Sequence, residues 1–185
     1  MSIVGLRFLV LPLSALVACA PATEPRSCGE ARSLDASLRL PPDTTRARTI
    51  DDQWADLARQ VPGGWGGFFL DSGRPIVYLV HPEQRQEALA ALYVAGIGLP
   101  LYDIRGAQVW QGRWDFAQLN DWYRYINSRI GTVVGLYSTD IDEVRNRLGY
   151  GVDTTAKADV ESALGTLDLP CDLVTVTVTS PAVPL

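Results

Sequence analysis

The sequence predicts an α+β protein made of two tandem αββαβ subdomains, which cover residues 49–114 and 115–179. Each subdomain begins with apolar residues at helical spacing behind a capping residue, and two β-prone runs follow. At an offset of 72 residues, Tyr78 aligns with Tyr150 and Leu92 aligns with Leu164. This recurrence indicates an internal duplication; the alternative is a coincidence between two common α+β patterns.

We expect each unit to form a three-stranded sheet with its two helices on one face. A unit of this size buries too little apolar surface to be stable alone, so the two units are expected to pack together. The other face of each sheet is then free to stay open.

The predicted elements of the first unit are a helix after Thr49, strands at 66–70 and 76–80, a helix ending near Val94 and a strand at 107–114. Thr49 is the N-cap of the first helix, supported by Asp52 three residues later. The turn formers at 71–73 join the two hairpin strands. His81 occupies an N-cap position, because Pro82 follows it at the first helical position.

The predicted elements of the second unit are a helix over 116–130, strands at 132–138 and 147–152, a further helix and a strand at 173–179. Asp115 and Gln118 form a capping box for its first helix. The polar segment 140–146 is interpreted as the tip of the hairpin, with Asn146 bonding the turn backbone. In the last strand, valine and threonine alternate, which predicts one apolar and one polar face. Residues 180–185 are expected to leave the sheet as an extended tail.

The first eighteen residues have the pattern of a secretory signal, with Arg7 before a short apolar run that is too short to span a membrane. The segment from Leu16 to Cys19 resembles the lipobox of bacterial lipoproteins. The resemblance implies cleavage before Cys19 and lipidation of its thiol, and Ala20 makes the outer membrane the default location. The alternative is an ordinary signal with a chance cysteine. Residues 19–48 then form a lipidated tether.

Composition limits the classes of function. The net charge of −5 argues against a nucleic-acid-binding protein, which needs a concentrated basic face. With Cys19 lipidated, Cys28 and Cys171 remain as a pair in an oxidising compartment, and we predict a disulfide between them. It would contribute on the order of 4 to 5 kcal/mol in the chain-entropy model. The alternative is two unpaired buried thiols.

Two segments resemble the pro-regions of α-lytic-protease-type and streptogrisin-type secreted peptidases. They are GGFFLDSGRPIVYLVHPEQRQEALAAL in the first unit and DIDEVRNRLGYGV in the second. Those pro-regions are built from small α+β subdomains and act as folding catalysts and inhibitors of the peptidase that follows them. Since no peptidase domain follows Leu185 in this sequence, the resemblance implies a scaffold that binds another folded protein through a sheet.

The sequence predicts no catalytic site, no metal site and no cofactor. His81 is the only histidine, and no GxSxG elbow supplies it with a nucleophile. Asp140, Asp142 and Glu143 form the densest acidic cluster, but the glycine and distal glutamate of a calcium loop are missing. We therefore favour a solvated hairpin tip over a cation site. Cys28, Cys171 and His81 lack the spacing of a zinc site.

Several residues are candidates for binding a partner protein. They are Trp65, Trp110, Trp114, Gly149, Gly151 and Pro181. Trp110 and Trp114 are predicted to share one side of a strand, and Trp65 lies in a glycine-rich turn. The two glycines leave one side of their strand without side chains, which either forms a flat platform or admits a close neighbour within the fold. For the tryptophans, burial in the core is the alternative.

The sequence therefore predicts a non-enzymatic, lipid-anchored periplasmic module that binds another protein as an accessory or scaffolding subunit of a membrane-associated complex. A second hypothesis is a peptidase inhibitor or foldase that acts in trans and uses residues 180–185 as a substrate-like tail. A third is a binder of a small ligand or cation at the acidic hairpin tip, or an enzyme that uses it. Neither nucleic acid nor a small-molecule substrate is expected as a partner.

Overall fold

The computed structural model describes residues 28–29, 31–98 and 100–180. The lipidation predicted at Cys19 and the partner contact predicted at Pro181 lie outside these residues. Within the described ranges, no helix combines the length and apolar character needed to cross a bilayer.

The first unit contains helix α1 (Ile50–Ala58), strands β1 (Trp65–Asp71) and β2 (Arg74–Leu79), helix α2 (Arg85–Val94) and strand β3 (Gln108–Gln111). The second contains helix α3 (Phe116–Ile130), strands β4 (Leu136–Asp142) and β5 (Arg147–Val152), helix α4 (Lys157–Gly165) and strand β6 (Val174–Val178). Both units thus follow the order αββαβ, as the sequence predicted.

Each unit has its own three-stranded sheet, with β2 at the centre of the first and β5 at the centre of the second. In both sheets the hairpin pairs antiparallel, and the last strand pairs parallel to the central one. The parallel pairing requires a crossover, which α2 provides in the first unit and α4 in the second. The α+β fold class with two equivalent sheets is confirmed.

The capping boxes of α1 and α3 form as predicted. The Thr49 hydroxyl accepts from the Asp52 amide, and the Asp52 carboxylate accepts from the Thr49 amide. Asp115 and Gln118 make the same reciprocal pair at α3. Such a cap stabilises a helix by about 1 kcal/mol. His81, in contrast, makes no side-chain capping bond, and the chain first forms a single 3₁₀ turn at Pro82–Gln84 before α2 begins.

Two strands have bounds that differ from those predicted. Strand β3 ends at Gln111, so Trp114 lies beyond it rather than on one side of the strand with Trp110. Strand β4 begins at Leu136 instead of residue 132, because the chain must first turn after α3. Gly135 makes that turn with φ +84°, a left-handed conformation that glycine adopts at low cost. Because β4 extends to Asp142, Asp140 lies within this strand rather than at the hairpin tip.

The two units share one hydrophobic core. From the first sheet it receives Val77 and Leu79, and from the second it receives Leu148, Tyr150 and Val152. Helices α1 and α3 pack against each other between the units, where the Trp54 ring lies 5.4 Å from the rings of both Trp65 and Phe116. This shared interior explains why the chain needs both units, since each fully buried side chain contributes about 1.5–3 kcal/mol.

The segment before α1 is attached to the body. Cys28 and Cys171 form the predicted disulfide, which joins residues 143 positions apart with a Cα–Cα distance of 5.5 Å. The Trp122 indole donates to the Arg32 carbonyl at 3.0 Å, and Leu34 is only 2% exposed. The described part of the predicted tether therefore packs on the protein, although its sequence shows no periodicity.

Candidate protein-binding surface

The outer face of the first sheet carries a cluster of three aromatic rings, which we call the aromatic face. Since Val77 and Leu79 point into the core, alternation along β2 places Ile76 and Tyr78 on the opposite side. Phe69 is the register partner of Ile76, and Trp110 is the register partner of Tyr78. The register therefore brings side chains from all three strands to the same outer face.

The three rings contact one another in pairs. The ring centroids are 5.8 Å apart for Phe69 and Tyr78, 5.6 Å for Phe69 and Trp110, and 5.9 Å for Tyr78 and Trp110. Both contacts of Trp110 are edge-on, a favoured arrangement for aromatic pairs. Ile76, on the same face, is fully buried, whereas Trp110 remains 36% exposed. The rings thus cover an apolar base and present their upper surface to solvent.

The hairpin turn of the second unit borders the aromatic face. The Tyr78 hydroxyl donates to the Val144 carbonyl at 3.1 Å, and the Val144 side chain is 55% exposed. The Glu143 side chain lies against Gly67, where its Cγ is 3.2 Å from the position that a Cβ would take. Gly67 is the register partner of Tyr78, so Glu143 lies next to the aromatic cluster.

The charges at this border are acidic and partly desolvated. The pKa of Glu143 is raised to about 7, chiefly by burial and with smaller contributions from the negative charges of Asp140, Asp51 and Asp142. Burial, together with Asp51, also raises the pKa of Asp140. Burial raises the pKa of the Tyr78 hydroxyl, with a smaller contribution from Asp142. A cation placed at this border would therefore be favoured electrostatically.

Asn146 fixes the hairpin turn relative to the first sheet. Its amide nitrogen donates to the carbonyls of Gly66 and Trp114, at 3.0 and 2.8 Å. Its amide oxygen accepts from the backbone N–H groups of Arg113 and Trp114, at 2.8 and 2.9 Å. The side chain is 4% exposed. Asn146 thus bonds the backbone of the first unit and the connection that follows it, and not the turn backbone that the sequence suggested.

We call the contact of Asn146 with Gly66, Arg113 and Trp114 the Asn146 joint. Only glycine fits at position 66 in this joint. A Cβ there would lie 2.4 Å from the Trp114 carbonyl oxygen and 2.5 Å from the Asn146 amide nitrogen. Both distances are far below van der Waals contact, and the carbonyl belongs to the backbone. The close approach of β1 to the second unit therefore depends on Gly66.

Two of the tryptophans predicted to bind a partner are instead core residues. Trp65 and Trp114 are both fully buried. The Trp65 ring stacks on Phe116 at 5.9 Å, because the turn before β1 directs it inward between α1 and α3. Trp114, whose backbone is hydrogen-bonded by Asn146, places its side chain in the same core. Of the three tryptophans proposed for binding, the structure exposes Trp110.

The two candidate glycines differ in their surroundings. A Cβ at Gly151 would lie 2.3 Å from the Ser138 hydroxyl and 2.9 Å from the Thr179 hydroxyl, so the neighbouring strands fill this space. At Gly149 a Cβ would meet only the Cβ of Asp142, at 3.8 Å. Gly151 thus serves local packing, which was the alternative interpretation, and of the two glycines Gly149 leaves sheet surface open.

The residues considered for chemistry are spread apart. The His81 imidazole is exposed and lies 3.5 Å from the Glu83 carboxylate. Within the described ranges, Cys28, Cys171 and Asp172 form the one group with ligand atoms close enough to hold a metal ion. The two sulfur atoms of that group are joined as a disulfide.

A charged cavity of about 570 Å³ lies between the segment before α1 and helices α1 and α3. Its lining includes five arginines and four aspartates. Arg46 pairs with Asp52 at 2.8 Å, and Arg39 and Arg59 both pair with Asp121, at 3.2 and 3.3 Å. The pairs of Arg46 and Arg39 hold the segment before α1 against the two helices, and the pair of Arg59 joins α1 to α3.

Sequence reasoning missed Phe69 and Tyr78. A signal for them exists, because residues 75–80 form an unbroken apolar run, which indicates a strand with both faces covered or in contact with apolar partners. Comparison of the chain with models of known protein families and with curated proteins finds no match.

Proposed function

We propose that this chain is a non-enzymatic, lipid-anchored periplasmic module that binds another protein through its aromatic face, as an accessory subunit of a membrane-associated complex. The observation that carries the proposal is the solvent-facing cluster of Phe69, Tyr78 and Trp110 on a three-stranded sheet. Apolar clusters of this kind on a protein surface are typical of interaction sites.

The residue types support a protein partner. Tyrosine and tryptophan are enriched among the residues that dominate binding energy at protein interfaces. Here they project from strands with fixed register, and each ring is already held by the other two. Little side-chain freedom would be lost on binding, so more of the contact energy is available for affinity.

The acidic border supports a more specific description of the partner. Glu143 lies beside the aromatic cluster, against Gly67, and burial together with the nearby charge of Asp140 raises the pKa of its carboxyl group. A lysine or arginine of the partner would stabilise the ionised form of this group. We therefore expect the bound segment to be apolar with a basic residue at one end.

The proposed location is supported by two features. The segment from Leu16 to Cys19 resembles a lipobox. The disulfide between Cys28 and Cys171 fits an oxidising compartment such as the periplasm.

Site-specific photo-cross-linking in cells tests the proposal. A photoreactive residue at position 110 is expected to give one predominant protein adduct, whereas the same residue at position 177, on the outer face of the second sheet, gives none. With the partner purified, Trp110→Ala should weaken binding by about 30-fold, the effect of losing roughly 2 kcal/mol at an interface hot spot. Thr177→Ala should leave the affinity unchanged. Equal adducts at both positions, or no adduct at position 110, would overturn the proposal.

A further inference from the structure

An apolar strip runs along α2 and into the connection that follows it. Residues 88–102, ALAALYVAGIGLPLY, include no charged side chain. Helix α2 accounts for the first part and ends at Val94, and the chain then turns toward a 3₁₀ turn that begins at Ile104. Fifteen residues are too few to span a bilayer as a helix, but they are sufficient for a segment that lies in its interface.

The strip exposes large apolar side chains. Val94 is 86% exposed and Leu101 is 78% exposed. Val94 also lines a shallow apolar groove of about 530 Å³ between α1 and α2, together with Leu57, Val61 and Ala90. The lining of this groove includes a single polar side chain, Gln60. Val94 thus extends an apolar groove, and Leu101 follows it after seven residues, whereas a single exposed apolar side chain is ordinary on a protein surface.

Polar groups follow at the base of the strip. Tyr93 and Tyr102 are half-buried there. The Arg105 guanidinium lies 4.0 Å from the centre of the Tyr93 ring and pairs with Asp103 at 2.8 Å. The strip thus has exposed apolar side chains first, then tyrosines and then charged side chains. Amphipathic segments show the same order across a membrane interface, from the acyl chains to the headgroups.

We infer that the exposed apolar side chains of this strip, Val94 and Leu101, insert into the interface of the bilayer that carries the lipid anchor. The inference rests on the lipidation of Cys19 that is part of the proposed function. Cys19 precedes Cys28 by nine residues, and nine residues span at most about 30 Å when extended. Because Cys28 is fixed to the body through Cys171, the body is held within that distance of the bilayer. A lipid surface is thus an apolar phase within reach of the body that carries the strip.

Val134 provides a matched control. It is 89% exposed, as much as Val94, but it follows α3 in the second unit. The uncharged segment around it, residues 130–139, is shorter than the strip and carries the polar side chains of Thr132, Ser138 and Thr139. A non-specific effect of exposed apolar side chains would appear equally at both positions.

The first experiment measures depth in the membrane. Leu101→Cys and Val134→Cys variants of the lipidated mature chain, with the native disulfide intact, are labelled with an environment-sensitive fluorophore. They are then reconstituted on vesicles of phosphatidylethanolamine and phosphatidylglycerol. The label at position 101 is expected to shift to the blue and to be quenched by nitroxide lipids, whereas the label at position 134 stays in water. Equal responses at the two positions, or no response at position 101, would refute insertion.

The second experiment removes the anchor, so that the strip alone determines binding. In a mature chain carrying Cys19→Ala, the double change Val94→Asp and Leu101→Asp should lower partitioning onto the same vesicles by about tenfold. Val134→Asp should not change it, and equal partitioning of all three proteins contradicts the inference. Cross-linking at position 110 in the Val94→Asp, Leu101→Asp chain tests the protein-binding function separately. Loss of vesicle binding with that adduct retained distinguishes the two activities.

Discussion

The outer face of the first sheet carries Phe69, Tyr78 and Trp110, whereas that of the second carries Ser138, Gly149 and Thr177. Both sheets have the same strand order and the same combination of antiparallel and parallel pairing. The strands differ in their patterns, because β2 is apolar on both faces and β6 alternates valine with threonine. The two sheets therefore share a topology but differ in surface chemistry. That chemistry depends on the residues that face away from the core.

The connections before the last strands differ in the same way. In the first unit the connection from α2 to β3 is apolar and exposed, with Leu101 at 78%. In the second unit the connection from α4 to β6 carries Cys171 and the ion pair of Asp168 with Arg32. The first unit thus turns apolar surface outward in this connection, whereas the second unit uses it to bind the start of the N-terminal segment.

Replacing Asn146 is expected to have the largest effect on this arrangement. Asn146→Gly should lower the free energy of unfolding by about 3 kcal/mol, because four backbone groups, three of them in buried hydrogen bonds, lose their partner. Ser72→Gly is the matched control, since both residues have φ +51° and Ser72 is exposed in the first hairpin turn. Its effect should be within about 0.5 kcal/mol. Chemical denaturation measures both, and similar values would show that the joint does not hold the units together.

The pH dependence of stability should reflect the desolvated acidic border. The pKa of Glu143 is raised by burial from 4.5 to about 7, so the unfolded state loses this proton at lower pH than the folded state. Stability from this group is therefore complete below pH 4.5 and is lost as pH rises through 7. Partial exposure and screening reduce the effect to about 2 kcal/mol.

Glu143→Gln should remove this loss and make the protein more stable than wild type at pH 8. Urea unfolding at pH 5 and pH 8 measures the difference, with the exposed Glu87→Gln on α2 as control. Asp140, Asp51 and Asp142 also face this group, and their charges remain in the variant. A wild-type pH dependence in Glu143→Gln would mean that Glu143 is well solvated.

The smallest effects are expected on the outer face of the second sheet. Gly151→Ala should cost about 1–2 kcal/mol, because the new methyl group meets the Ser138 and Thr179 hydroxyls. Gly149→Ala should change stability by less than about 0.5 kcal/mol, since its nearest neighbour lies at an ordinary contact distance. Thermal unfolding of the two variants compares them directly. A larger loss for Gly149→Ala would show that this face is covered.

Much of the fold could be predicted from local patterns. In the capping boxes at Thr49 and Asp115, the two interacting residues are three positions apart. Both partners can therefore be recognised in the sequence. The disulfide followed from the compartment and the number of cysteines. The exposed surface was harder to predict, because the residues that flank Trp65, Trp110 and Trp114 in the sequence do not distinguish a buried indole from an exposed one. Their exposure depends on the inward turn before β1 and on where β3 ends.

The sequence by itself determined the secondary structure order, the capping boxes of α1 and α3, the disulfide and the alternation of β6, since each depends on neighbouring residues or on composition. Only the tertiary structure decided which face of the first sheet meets the core. Only the tertiary structure brought Asn146 to Gly66, which lies 80 positions away in the chain. The physical reason is that β1 and β2 are apolar on both faces. Their local pattern fits either orientation, and packing of α1 and α3 between the units selects the one that leaves the aromatic face outside.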